Sequence, residues 1–227
     1  MPFHDLSARL AEVRERIAQA RERGGHGQTV AIVAVTKTYG PDAPVAAWDA
    51  GLKDVGENKV QEAASKMAAV AVPLRWHLIG HLQRNKVKQL PGFHLVHSMD
   101  SARLADVLAL YGLARGRPTD VLLQVNVSGE GTKGGYAPAD VEREAARLKG
   151  FAGLAVRGVM TMAPFDASGE TLRSVFRGAR ESGTLLRAAG HPATELSMGM
   201  SGDYEVAVEE GATLVRLGTV LFGARSA

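Results

Sequence analysis

The run Val30-Ala31-Ile32-Val33-Ala34-Val35 passes without a break into Thr36-Lys37. A short apolar segment rich in β-branched residues reads as a strand buried on both faces, as in parallel α/β sheets. Such a strand delivers an ammonium group to its own end. The simple structural explanation is that the strand meets water there. The chemical one is that a lysine drawn toward a low-dielectric site has a lowered pKa and becomes a nucleophile toward carbonyls.

Upstream of this strand, Leu6, Leu10, Val13, Ile17 and Ala20 recur with spacings of 4, 3, 4 and 3. That pattern is one face of an amphipathic packing helix, with Glu12 and Arg16 paired at i,i+4 and Gly24-Gly25 as its end. Downstream the chain alternates. Further strands are predicted at 53–55, 75–79, 94–97, 121–126, 156–162, 194–197 and 214–217, with helical patterns at 60–70, 102–114, 139–148, 172–189 and 204–210. With 30–35, these strands make eight, and helices lie between them in a chain of 227 residues. The pattern fits an α/β fold of the (β/α)8 barrel type with an extra N-terminal helix; a doubly wound open sheet is the alternative. There is no long linker, low-complexity tract or internal repeat, so residues 1–227 are expected to form a single domain.

Hydrophobic residues make up 45% of the chain and charged residues 22%, enough for a sizeable core. A net charge of +3 is too balanced to imply nucleic acid. With no cysteine, thiolate catalysis, disulfides and Cys-ligated metals are excluded. Residues 5–23 are charged throughout and lack the apolar region of a signal peptide, and no stretch approaches a transmembrane span. A soluble cytoplasmic protein without membrane association is expected.

In a barrel, function collects at the C-terminal ends of the strands. Polar and glycine-rich residues do collect there: Thr36-Lys37, Gly56-Glu57-Asn58, Gly80-His81, Ser98 and Asp100, Asn126, Thr161, Ser197 to Ser201, and Arg216 with Gly218-Thr219. The turn Met198-Gly199-Met200-Ser201-Gly202-Asp203 leads into a helix whose first N–H groups are unpaired, and Ser201 adds a hydroxyl. Gly218-Thr219 offers more N–H groups and another hydroxyl. Loops after strands seven and eight are a recurrent phosphate site in barrels. The structural alternatives are that Ser201 caps a helix and Gly218 turns the chain.

Lys37 lies on the strand next to strand eight. An amine at one end of a pocket and a phosphate at the other suit a phosphorylated aldehyde, with pyridoxal 5'-phosphate (PLP) the leading candidate. Arg216 stands between them. Its guanidinium only donates, so it would keep a pyridine nitrogen unprotonated and weaken the cofactor as an electron sink; a salt bridge in the barrel mouth is its structural alternative.

Several ordered motifs resemble one family. They are Ala34-Val35-Thr36-Lys37, Gly56-Glu57-Asn58-Lys59-Val60-Gln61-Glu62, Trp76-His77-Leu78-Ile79-Gly80-His81-Leu82-Gln83 and Gln124-Val125-Asn126. Further along stand Lys133-Gly134, Gly158-Val159-Met160, Leu196-Ser197-Met198-Gly199-Met200-Ser201-Gly202-Asp203, Val215-Arg216-Leu217-Gly218 and Phe222-Gly223-Ala224-Arg225. Over nearly its whole length the chain resembles the YggS family of PLP homeostasis proteins, also called PROSC. The resemblance implies the alanine-racemase-type barrel of fold-type III PLP proteins. It implies PLP held as an aldimine on Lys37, Arg216 facing the pyridine nitrogen, and Ser201 with the Gly218-Thr219 backbone holding the phosphate. Asn58 and Met200 are implied near the cofactor. Thr36 departs from the family's usual serine but keeps the hydroxyl, and Tyr39-Gly40 replaces a more basic stretch at the pocket rim.

Racemases and decarboxylases of this fold type complete their sites with a second, β-rich domain, and none is expected after residues 222–225, which read as the start of the last barrel helix. A racemase also needs an acid and a base on opposite faces of the substrate. Lys37 serves one face, and no tyrosine at a strand mouth is an evident partner, although Tyr39 and Tyr136 lie in loops. The expectation is a PLP-binding protein of vitamin B6 homeostasis, not an enzyme, with PLP and apo PLP-dependent enzymes as partners. The alternatives are a weak PLP-dependent amino-acid racemase and a barrel that uses Lys37 without a cofactor. Family resemblance implies a monomer. The basic cluster Arg84, Lys86 and Lys88 lacks the interleaved aromatics of a single-strand platform and reads as a solvated face. His77 reads as a hydrogen-bonded core histidine, His81 as a pocket candidate, and Glu57 as a helix-dipole residue. No zinc-ligand spacing is present, so no metal is expected.

Overall fold

A computed structural model of the chain describes residues 3–90, 92–131 and 133–223. Eight parallel strands close into a barrel: β1 Ala31–Val35, β2 Asp54–Glu57, β3 Arg75–Leu78, β4 Leu95–Met99, β5 Thr119–Gln124, β6 Leu154–Met160, β7 Glu195–Ser197 and β8 Leu214–Leu217. They pair in sequence order, and β8 returns to β1 with Val33 opposite Arg216 and Ala34 opposite Leu217. The barrel expectation holds, and the open-sheet alternative falls on the β1–β8 pairing.

Around the barrel lie α2 Asp42–Asp49, α3 Val60–Ala69, α4 Ala102–Ala114, α5 Val141–Leu148, α6 Gly169–Ala188, α7 Tyr204–Glu209 and α8 Thr219–Phe222. Between β3 and β4 the connection is a 3-10 turn, Arg84–Gln89, in place of a helix. The additional helix, α1 Leu6–Gly24, buries Leu6, Leu10, Val13, Ile17 and Ala20, the expected face, against α7 and α8. Gly25, at φ 67°, closes it through an N–H bond to the Arg21 carbonyl, and Glu12 meets Arg16 at 2.8 Å. Among the described residues no helix is long and apolar enough to cross a membrane.

Two cores follow from strand alternation. Val33, Leu95, Leu122, Met160 and Leu214 face the barrel interior. Ile32, Ala34, Val55, Leu78, Leu123, Val215 and Leu217 face outward and pack with helical residues such as Leu104, Leu108 and Phe176. Burying each large side chain of this outer layer contributes about 1.5–3 kcal/mol.

Strand limits move by up to two residues from the sequence reading; β2, for example, runs on to include Glu57. The helix α2 is not predicted, because it is short and carries Pro44. Proline is tolerated there because the first-turn N–H groups have no intrahelical acceptor. The last helix, α8, is complete by Phe222, since Gly223 turns out of it at φ 87°. Ala224 and Arg225, in the last family motif, lie outside the described residues.

Candidate functional site

Lys37 leaves the C-terminal end of β1 half-buried, and among the described residues its Nζ has no hydrogen bond or ion pair. Its neighbours are fixed. Thr36 is buried and donates through Oγ1 to Glu57 Oε1 at 2.5 Å, and its carbonyl accepts from Lys66 Nζ at 2.7 Å. The Thr38 N–H donates to Glu62 Oε1 at 2.6 Å. Thr38 has φ 69°, a conformation that costs a β-branched residue about 1–2 kcal/mol and that this clamp maintains.

Lys66 also donates to Glu57 and Glu62, each at 2.8 Å. Burial raises the Glu57 carboxyl above its ordinary range in spite of hydrogen bonds from Lys66 and Thr36. Burial acts in the same sense on Glu62, but Lys66 and the Thr38 N–H outweigh it and hold that carboxyl low. Glu57 is therefore no helix-dipole residue. It closes β2 and faces outward, where α3 covers it.

At the ends of β7 and β8 the chain folds into a cradle. Gly199 has φ 90°, and a Cβ there would lie 2.6 Å from Ala207 Cβ, so only glycine lets the loop turn this tightly. The Gly199 carbonyl accepts from the Arg216 N–H at 3.0 Å, joining the two strands beyond their ladder. Met200 is exposed, with its N–H donating to Asp203 Oδ1 at 2.6 Å. Ser201 Oγ accepts long bonds from the Gly218 and Val220 N–H groups, at 3.4 and 3.3 Å. Thr219 is exposed between them. Asn58, just past β2, is partly exposed, and its side-chain amide has no hydrogen bond among the described residues.

Arg216 points into the barrel from β8 and is buried. Nη1 donates to the Ser197 carbonyl at 2.7 Å and Ser197 Oγ at 2.6 Å, and Nη2 to the Thr161 carbonyl at 2.9 Å. Its Nε makes no hydrogen bond among the described residues. Burial pulls the guanidinium down to about 10, so it stays a cation at neutral pH. The salt-bridge alternative does not hold: among the described residues neutral oxygens alone take its hydrogen bonds.

The seven sequence candidates Lys37, Asn58, Met200, Ser201, Arg216, Gly218 and Thr219 thus gather at the C-terminal ends of β1, β2, β7 and β8. His77 is buried and hydrogen-bonded in the core, as expected, to Asp54 at 2.9 Å and His97 at 2.8 Å. His81 is exposed and paired with Asp100 at 2.9 Å. The two loop tyrosines are committed elsewhere. Tyr39 packs on Phe3 and Phe222 and donates to the Gly223 carbonyl at 3.4 Å. Tyr136 donates to Glu144 at 2.7 Å, and burial together with that carboxylate raises its phenol far above the usual value.

Sequence reasoning missed Lys66 and His97, and the supporting contacts of Ser197, which it placed only among the polar residues at the strand ends. The i,i+4 spacing of Glu62 and Lys66 was a signal for the first. For the other two, the available signal was that His97 shares strand parity with Leu95 and that Ser197 precedes the glycine turn. A cleft of about 680 Å³, lined by Asp54, Arg75, His77 and His94 among others, opens at the opposite, N-terminal end of the barrel.

Comparison with known proteins adds to this geometry. Residues 8–226 match the alanine racemase N-terminal domain. The chain is 43% identical over 221 residues to the pyridoxal phosphate homeostasis protein of Aquifex aeolicus, covering 96% of this chain and 97% of that one. It is similar to the solved structure of PipY from Synechococcus elongatus without PLP, with a TM-score of 0.87, 37% identity and coverage of 96% and 100%. The same protein with PLP bound gives a TM-score of 0.85 at 36% identity, with the same coverage of both chains.

Proposed function

The chain belongs to the pyridoxal phosphate homeostasis protein family, and from that premise we propose that it binds PLP at the C-terminal mouth of its barrel and keeps it in reversible reserve. When bound, PLP supplies an aldehyde that condenses reversibly with a primary amine, a ring nitrogen that accepts a hydrogen bond, and a phosphate that needs N–H and O–H donors. The donor set fits each part. Lys37 carries an amine that is unengaged among the described residues, on a clamped backbone. Arg216 has a spare Nε–H beside three used donor bonds. Ser201, Gly218 and Thr219 offer hydroxyl and backbone donors, and the Gly218 and Val220 N–H groups are held only by long bonds to Ser201 Oγ. Asn58 and Met200 complete the rim.

The observation that carries the reading is the Nζ of Lys37, unpartnered among the described residues, beside that donor cradle. Residues 1–227 act here as a single PLP-binding barrel, a cytoplasmic monomer that gives PLP to apo PLP-dependent enzymes and uses neither metal nor nucleic acid. Arg216 stays protonated and donates, which leaves the ring nitrogen without a proton and the cofactor a poor electron sink. The Tyr39 and Tyr136 hydroxyls are both bonded elsewhere, so neither loop tyrosine supplies the second acid–base group that a racemase needs opposite Lys37. The protein is on this reading a carrier, not a racemase.

Absorbance of the purified protein with added PLP, before and after borohydride reduction, followed by mass mapping, tests this. An adduct on Lys37 that vanishes in Lys37→Ala is expected. No PLP absorbance, or an adduct at another lysine, overturns the site. Racemisation of L-amino acids abolished by Lys37→Ala would make the protein a racemase instead.

A further inference from the structure

Behind Arg216, a line of buried polar side chains crosses the barrel interior from one end to the other. Ser197 Oγ lies 2.6 Å from Arg216 Nη1 and 2.9 Å from His97 Nδ1. His97 Nε2 lies 2.8 Å from His77 Nδ1, and His77 Nε2 lies 2.9 Å from Asp54 Oδ1. Ser197, His97 and His77 are each at most 2% exposed. Five strands contribute one residue each: β8, β7, β4, β3 and β2. A barrel interior is ordinarily filled by bulky apolar side chains, so five linked polar groups there ask for a reason.

We propose that Ser197, His97 and His77 form a one-way hydrogen-bond relay that ties Arg216 to the Asp54 carboxylate, so that these three are positioning residues for the guanidinium that faces the ring nitrogen of PLP. The last clause rests on the PLP reading above; the relay itself does not.

Its direction follows from the two ends. A guanidinium only donates, and an ionised carboxylate only accepts. Ser197 Oγ accepts from Arg216, which leaves its single proton for His97 Nδ1. A neutral His97 then carries its proton on Nε2 and donates to His77 Nδ1. His77 likewise carries its proton on Nε2 and donates to Asp54. Ser197, His97 and His77 each take one bond in the line and give one, so the hydroxyl and both rings are fully paired along it. The reverse direction would need a protonated Asp54 and would leave the serine proton without an acceptor, a buried loss of about 1–3 kcal/mol.

The surroundings favour the same state. His97 is fully enclosed, and burial first, then the nearby His77 and Arg216, push it well below the ordinary histidine value, toward the neutral ring the relay needs. Burial pulls Asp54 upward, but hydrogen bonds from His77 and Arg75 outweigh it and keep the carboxyl low, toward the ionised form. Arg75 meets Asp54 at 2.5 Å, and the His94 ring packs edge-on to His77 with centroids 5.4 Å apart. The far end therefore opens on the N-terminal cleft, on the opposite face from Lys37.

Side-chain ¹⁵N–¹H correlation spectra of the full chain at pH 7, without PLP, read the relay directly. His77 and His97 are both expected neutral, with the proton on Nε2. Either ring protonated on Nδ1, or carrying two protons, overturns the proposal. Asp54→Asn, nearly isosteric and remote from Lys37, is expected to move the His97 resonances. In PLP-loaded protein it is expected to shift the cofactor's absorbance maximum as well. His97 resonances unmoved by this substitution overturn the relay. If the variant fails to fold, the wild-type tautomers still decide. Wild-type protein that takes up no PLP overturns the functional reading alone, because the unloaded spectra judge the relay independently.

Discussion

Lys66 Nζ lies 2.8 Å from Glu57 Oε1, with both side chains almost wholly inside the protein. A buried pair of this kind adds little net stability, yet removing one partner leaves an uncompensated charge. Lys66→Met should therefore lower unfolding free energy by about 3–5 kcal/mol at pH 7. In a chain of this size each kcal/mol is worth about 2–4 °C of Tm. Adding Glu57→Gln to Lys66→Met should recover at least half of the loss. Urea melts of the single and double variants check this, and equal losses in both would show that the charge is not what matters.

The same pair reaches function through Thr36, whose carbonyl and hydroxyl are both fixed by it. Lys66→Met should also slow borohydride-trapped labelling of Lys37 by PLP under conditions where the variant remains folded. Labelling at the wild-type rate would mean that the Thr36 clamp does not position Lys37.

Ser201 poses a different test, because its hydroxyl does little in the unloaded protein. It accepts two bonds, both longer than 3.2 Å. Ser201→Ala should leave urea stability within about 1 kcal/mol of wild type. A hydrogen bond to a charged group contributes about 1.5–3 kcal/mol, so PLP affinity should fall on the order of 10- to 100-fold. Equilibrium titration of PLP absorbance measures it, and unchanged affinity would remove Ser201 from the phosphate site.

Legibility in the sequence divides along physical lines. β1 was legible because a strand buried on both faces reads as a continuous apolar run, here Ala31–Val35. α1 was legible because its buried face repeats at helical spacing. The Lys37, Ser201, Arg216 and Gly218 grouping was legible because the barrel rule sends strand ends to one face. α2 was not, since two turns containing Pro44 give no periodic signal. Glu57 was read as a helix-start residue because it stands three positions before Val60. Its true partners depend on the outward strand face meeting α3. The Asp54-to-Arg216 line was not legible as a line, although Arg216, Ser197 and His77 were each singled out: its members lie up to 100 residues apart along a single link, and only strand parity brings them to one interior.

Gly199 tests the cradle's backbone. At φ 90°, with Ala207 Cβ only 2.6 Å from any added Cβ, an alanine is both strained and crowded. The left-handed conformation alone costs about 1–2 kcal/mol, and the crowding adds to it. Gly199→Ala should therefore lose at least about 2 kcal/mol. It should also weaken PLP retention, because the loop carrying Ser201 must shift. Gly202→Ala serves as the control: nothing lies within 4 Å of its added Cβ, and its φ is not in the left-handed range. Equal losses in the two variants, by urea melt, would refute the close-approach argument.

Acid sensitivity should trace in part to Glu144. Burial raises this carboxyl, but hydrogen bonds from Arg147 and Tyr136 outweigh it and hold it below its ordinary value. Those contacts are short: Arg147 reaches both carboxylate oxygens at 2.7 Å, and Tyr136 donates at 2.7 Å. A carboxyl with a depressed folded pKa is less protonated in the folded chain than in the unfolded one. Its stabilisation is therefore complete above the unfolded value, about 4.3, and drains away as pH falls through the folded value. Urea midpoints should accordingly fall between about pH 5 and pH 3. Glu144→Gln should lower the midpoint at pH 7 and flatten the acid slope, since the glutamine does not titrate. A slope as steep in Glu144→Gln as in wild type would move the acid-sensitive contact to another depressed carboxyl, with Asp54 the next to substitute.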